Sequence, residues 1–94
     1  PAVVVQNDMG NKHAPTVIIA PVTSKNKKSN LPTHVKLTSH ILERNSMVLL
    51  EQLKTVDKSR IDSYIGTLSD EEMKMIDKAL RISLAIGRYK KRSV

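Results

Sequence analysis

Three polar side chains stand where the surrounding sequence is apolar. Asn7 follows the run Ala2-Val3-Val4-Val5-Gln6, Thr23 ends the run from Thr16 through Val22, and Gln52 interrupts a run from Ser46 to Val56. A polar group in such a setting is unfavourable unless it is paired or lines a cleft. Taken singly, each could cap a strand or bond backbone. Taken together, beside the loop Ser24-Lys25-Asn26-Lys27-Lys28-Ser29-Asn30, they describe a polar cleft next to positive charge. That combination suits RNA, because amides read base edges and a hydroxyl can donate to a phosphate oxygen. Lys25, Lys27 and Lys28 are then expected to meet RNA phosphates or an acidic protein.

Other chemistries are poorly provided for. His13, His34 and His40 lack the i, i+3 or i+4 spacing of a helical ligand pair, there is no cysteine, and the acids are scattered, so no metal site is expected. With only Gly10, Gly66 and Gly87, no phosphate-cradling glycine loop can be written, and no cofactor is expected. His13 and His34 could pair as general acid and base. His34 shares an alternating face with Lys36, where a half-exposed structural histidine is ordinary, and His13 sits in a turn, so this pair is the weaker candidate.

The 94 residues fit one domain, and the 39% hydrophobic fraction suffices for a folded core built without Phe or Trp. Sixteen Lys and Arg against nine Asp and Glu give a net charge of +7, which favours a polyanion or an acidic partner. The absence of cysteine fits a reducing cytosol. The longest apolar run, Val17 to Val22, is far short of the ~20 residues of a membrane span. A chain that opens on Pro1 and runs at once into Ala2-Val3-Val4-Val5 reads as one cut upstream.

The elements that must position these residues are mostly strands. Ala2–Gln6 is expected as a strand buried on both faces, and Thr16–Val22 as a second buried run that stops or bulges near Pro21. Thr33–Thr38 alternates, with Val35 and Leu37 facing one way and His34, Lys36 and Thr38 the other. Ser46–Val56 reads as one strand interrupted at Glu51 and Gln52. Asp57–Arg60 is a polar turn, and Ile61–Leu68 could hold a short edge strand. A helix starts at Ser69, where Ser69-Asp70-Glu71-Glu72 is a capping box flanked by Leu68 and Met73 as a hydrophobic staple. Gly87 is its expected stop. Met73, Ile76, Leu80 and Leu84 form one apolar stripe; Met75, Ala79, Ile82 and Ile86 form a second, which serves either deeper burial or a partner's surface. Residues 88–94 form a basic tail.

Over nearly its whole length the chain resembles the MazF/PemK family of toxin endoribonucleases. The resemblance rests on Val3-Val4-Val5-Gln6-Asn7-Asp8, Pro21-Val22-Thr23, Leu31-Pro32-Thr33-His34-Val35 and Leu50-Glu51-Gln52. It implies a mostly β, α+β fold: a small SH3-like barrel with a long C-terminal helix, in a homodimer. It also implies the toxin of a toxin–antitoxin pair, a cytoplasmic, metal-independent, sequence-specific endoribonuclease. Such an enzyme cuts single-stranded mRNA to 2′,3′-cyclic phosphate and 5′-OH ends, and an acidic antitoxin neutralises it. By resemblance Thr23 is catalytic, with a partner Arg falling immediately before Pro1, while Asn7, Ser24, Leu31, Pro32, Glu51 and Gln52 line the base-reading cleft. The family's first strand and the loop bearing that Arg would also precede Pro1, so residues 1–94 would be a single toxin domain incomplete at its N-terminus. Two alternatives are a gyrase-binding toxin of the CcdB type, disfavoured by a basic tail without Trp, and a small nucleic-acid- or peptide-binding barrel.

Residues 1–94 alone are accordingly expected not to cleave RNA. Restoring the upstream residues should yield cleavage that survives EDTA, and changing the Arg before Pro1 to Ala should abolish it. EDTA-resistant cleavage by residues 1–94 would return attention to His13 and His34.

Overall fold

The computed structural model describes residues 1–7, 12–24, 31–37 and 45–87. Five strands, β1 (Ala2–Val4), β2 (Thr16–Thr23), β3 (His34–Leu37), β4 (Ser46–Leu49) and β5 (Lys54–Asp57), form one antiparallel sheet, followed by a 3-10 turn at Lys58–Arg60 and one long helix, α1 (Asp70–Ser83). The strand order is β1-β2-β4-β3, with β5 also on β2. Mostly β with a C-terminal helix is therefore right. The term barrel is loose, because β1 and β3 end the path and do not close on each other.

β2 organises the sheet. One edge takes β1, with Ala2 opposite Pro21 and Val4 opposite Ile19. The other takes β5 along Thr16–Ile19 and β4 along Val22–Thr23. β4 and β5 thus run in the same direction along a single edge. Three steps of β2, from Val22 to Ile19, face six steps of the other course, from Val48 to Lys54, so three residues are looped out. The expected Ser46–Val56 strand is in fact two strands with a turn at Glu51 and Gln52 between them. β2 also does not stop at Pro21. Val22 donates its N–H to the Pro1 carbonyl at 3.1 Å, so the even positions of β2 bond towards β1. The missing Pro21 N–H then falls on the opposite edge, where β2 changes partner and no ladder bond is required.

The core lies between the sheet and α1. Ala20, Val35, Leu37, Val48, Leu50, Ile76 and Ala79 form one buried cluster, with Val3, Val5, Val22, Leu53, Leu68, Met73 and Leu80 packed around it. Leu50, Ile76 and Val48 are fully enclosed, each worth about 1.5–3 kcal/mol of burial. β3 alternates as its sequence requires, Val35 and Leu37 inward, His34 and Lys36 on the reverse face. β1 is not buried on both faces. Among the described residues it has β2 as its one neighbour, Ala2 and Val4 are exposed, and Val3 turns to the core. Ile61–Leu68 forms no strand; it runs without a ladder partner to the helix, leaving Ile61, Tyr64 and Ile65 exposed.

At the helix start Ser69 Oγ accepts from Glu72 N–H at 3.1 Å and Glu72 Oε1 accepts from Ser69 N–H at 3.0 Å, the expected reciprocal cap. The second apolar stripe splits: Ala79 joins the core, while Met75, Ile82 and Ile86 are 45%, 44% and 56% exposed. Leu84 of the first stripe is also exposed. The helix ends at Ser83, before the expected stop at Gly87. Ala85 turns left-handed at φ +54°, Ile86 N–H bonds Arg81 carbonyl and Ala85 N–H bonds Ile82 carbonyl. This is a Schellman closure whose usual glycine is an alanine.

Ala85→Gly should therefore stabilise the fold. Left-handed geometry costs a non-glycine residue roughly 1–2 kcal/mol. Glycine's extra unfolded-state freedom offsets roughly 0.4–1 kcal/mol of that gain. A rise of roughly 0.5–1 kcal/mol should appear as a higher urea midpoint at unchanged m-value. A lower midpoint would mean that the Ala85 methyl packs more than it strains.

Candidate functional site

Two tight turns lie side by side at one end of the β3–β4 pair. His34 N–H bonds Leu31 carbonyl at 3.0 Å and closes the turn Leu31–His34, in which Pro32 takes the second position its fixed φ favours. Gln52 N–H bonds Leu49 carbonyl at 3.2 Å and closes the turn Leu49–Gln52. The pairing of His34 with Leu49 juxtaposes them, and Leu50 N–H joins Thr33 carbonyl at 2.9 Å. The Leu50 carbonyl accepts from Ser83 Oγ of α1 at 2.8 Å.

With Leu50 held inward, Glu51 projects to the reverse face. Its Oε1 accepts from Thr33 Oγ1 at 3.2 Å, and its Oε2 from His34 Nε2 at 3.0 Å and Gln52 Nε2 at 3.4 Å. The His34 side chain is 5% exposed and that of Glu51 33%. Burial alone raises the Glu51 pKa. Its own backbone N–H, the hydrogen bond and charge of His34 and the Thr33 hydroxyl outweigh burial and hold the carboxyl below the usual glutamate value. A carboxylate with both oxygens engaged and a lowered pKa is an anchor, not a general base poised near neutrality. It also commits His34, while His13 lies exposed before the start of β2, so the two histidines are not assembled as an acid–base pair.

Thr23 belongs to the same face. It pairs with Met47 of β4, and Met47 pairs with Lys36 of β3. Directly paired residues project to one side of a sheet, so Thr23, Met47 and Lys36 form a row on the reverse face, two residues along from Leu49 and His34. Thr23 is half-buried and Ser24, which follows, is exposed. By strand spacings Thr23 lies about 12 Å from His34, two strands across and two residues along. Leu31, 49% exposed, and Pro32 rim the turn. Gln52 spends one N–H on Glu51, leaving its amide oxygen and second N–H for another group.

Asn7 is not brought to this cluster. Val5 N–H bonds Ile18 carbonyl, so Asn7 lies near the start of β2 and Thr23 at its end, ~16 Å apart along the strand for the five residues from Ile18 to Thr23. Lys25, Lys27 and Lys28 lie outside the described residues, as does the basic tail at 88–94. His34 and Lys36 belong to the face, with Thr33 beside them in the turn, although of these the sequence singled out only His34, as an acid–base partner of His13. The alternation of His34 with Lys36 was visible; the register that sets Lys36 level with Thr23 was not. No group of three or more His, Asp or Glu side chains able to hold a metal occurs among the described residues. Among those residues no helix is long and apolar enough to cross a membrane.

Known proteins resemble this chain in sequence and fold. The model of the PemK-like, MazF-like toxins of type II toxin–antitoxin systems matches residues 1–84. The chain is 47% identical over 88 residues to Endoribonuclease EndoA of Bacillus subtilis (strain 168), covering 92% of this chain and 76% of that protein. It is similar to the solved structure of an endoribonuclease from Mycobacterial species, with TM-score 0.83, 25% identity and 93% and 81% of the two chains covered. It also shares the fold of an endoribonuclease in complex with its cognate antitoxin, likewise from Mycobacterial species, with TM-score 0.82, 24% identity and 92% and 81% covered.

The Glu51 network sets a pH signature. A depressed folded-state pKa contributes stability that is present above the unfolded glutamate value of about 4.3 and is lost as pH falls through the folded value. Glu51→Gln should lower stability at neutral pH by about 1 kcal/mol, charge-assisted bonds being discounted here for partial exposure. The gap to the parent protein should close on acidification. A gap independent of pH would assign Glu51 a packing role.

Proposed function

The chain belongs to the PemK-like, MazF-like toxins of type II toxin–antitoxin systems, and from that premise we propose that it is an endoribonuclease that cuts single-stranded mRNA at defined sequences without a metal ion. The observation that carries this reading is the row holding Thr23, half-buried at the end of β2 on the face that also bears the Glu51–Gln52 turn.

RNA supplies its own nucleophile. The 2′-oxygen bonds to phosphorus as its proton departs to a base, the bond from phosphorus to the 5′-oxygen breaks, and an acid protonates that oxygen. The products are a 2′,3′-cyclic phosphate and a 5′-OH. Thr23 donates its hydroxyl to a phosphate oxygen as negative charge builds there. Register supports a partner for it: Ala2 lies opposite Pro21 and the Pro1 carbonyl accepts from Val22 N–H, so a residue preceding Pro1 in the strand would stand opposite Thr23. A catalytic Arg immediately before Pro1, as the resemblance implies, would fit that position. Ser24, Leu31, Pro32 and Gln52 line the base-reading cleft, and Glu51 holds its wall. Asn7 contributes from the far end of the ribbon, and Lys25, Lys27 and Lys28 contact backbone phosphates. The protein acts in the cytoplasm, where an acidic antitoxin segment covers the basic cleft; a mycobacterial endoribonuclease of the same fold is known in complex with its cognate antitoxin. A second copy of the chain covers the exposed Met75, Ile82 and Ile86.

RNA incubated in EDTA with protein from the full reading frame should yield cyclic-phosphate ends. Thr23→Val should lose roughly 10²–10³ in rate, in the manner of a lost oxyanion donor, and Thr23→Ser much less. Equal losses for the two would make the methyl group, not the hydroxyl, the important part.

A further inference from the structure

We propose that Lys36 is an RNA-backbone contact, its ammonium holding a phosphate that flanks the one at Thr23. The proposal rests on the endoribonuclease reading and deepens it. Lys36 and Thr23 both pair with Met47, from opposite sides, so the cation and the hydroxyl lie on one row and one face. Two strand spacings separate their backbones by about 10 Å. That separation is too wide for one phosphate to touch both backbones and short enough for neighbouring phosphates of one strand.

Lys36 is exposed, and among the described residues it makes no ion pair. Among the described residues, Glu51 is the carboxylate on the same face that could neutralise it. Both oxygens of Glu51 are taken by Thr33, His34 and Gln52. The face is thus divided: an engaged anion beside the two turns and an unpaired cation level with Thr23. A polyanion crossing it is drawn to the Lys36 side and repelled from the Glu51 side. The alternative use of Lys36 is structural, its alkyl stem covering Met47, which is 8% exposed.

Lys36→Met separates these two uses, since it keeps a stem and removes the charge. In protein from the full reading frame, binding is measured with a mixed-sequence 2′-O-methyl RNA, which lacks the nucleophile and stays intact, and cleavage with the corresponding unmodified RNA. Lys36→Met should weaken binding roughly tenfold at low salt, as for one charge-assisted contact. It should also reduce the slope of log affinity against log salt by about 0.7. KM should rise while kcat stays nearly unchanged, because a flanking phosphate is bound alike in ground and transition states. The melting temperature should not move, and Lys36→Arg should restore affinity and slope. A Lys36→Met protein with the parent's salt slope and KM overturns the proposal, as does an equal loss in Lys36→Arg. If the parent itself neither binds nor cleaves RNA, the endoribonuclease reading fails and this contact falls with it.

Discussion

Leu50 is gripped from three directions. Its side chain is enclosed in the cluster with Ile76 and Ala79, its N–H bonds Thr33 carbonyl, and its carbonyl takes the Ser83 hydroxyl. Glu51 follows it as the next central residue of the turn Leu49–Gln52 and meets Thr33 and His34 at the start of β3. The carboxylate's aim is set by a helix whose Ser83 lies thirty-three residues further along the chain.

The second organising constraint is the shared edge of β2. Two strands occupy it end to end, and the three residues that do not fit are expelled as the turn carrying Glu51 and Gln52. Had β4 and β5 been one continuous strand, those side chains would have been absorbed into a ladder. The mismatch also places Thr23 against β4 instead of β5, and so on the face the turn overlooks. Pro21, with no N–H to satisfy, tolerates the change of partner.

What the sequence made legible was what is encoded locally. The Ser69–Glu72 cap needs four consecutive residues, and it forms as written. β3 alternates over its four residues as its side chains demand. The motifs at Pro21-Val22-Thr23 and Leu50-Glu51-Gln52 carried the family, and its fold follows. What failed depended on distant partners. The turn at Glu51 has no glycine, proline or asparagine to announce it, because Thr33, His34 and Ser83 hold it. The helix end is set by Ala85, whose left-handed backbone contradicts its own preference. Ile61 and Ile65 have strand-like spacing but no ladder partner, and the level alignment of Lys36 with Thr23 exists only through Met47.

The bond from Ser83 to Leu50 joins two surfaces that look separate. Ile82 and Ile86 flank Ser83 on the exposed side of the helix end, and Glu51 and Gln52 follow Leu50 in the turn beside β3. Any molecule that seats on Ile82 and Ile86 and tightens or loosens that bond changes the population of the turn conformation that presents Gln52. Thermodynamic reciprocity then requires a ligand of the turn to alter affinity at the helix end by the same factor. If the chain assembles through the helix end and reads RNA at the turn, as proposed above, the two are linked equilibria with one serine hydroxyl between them.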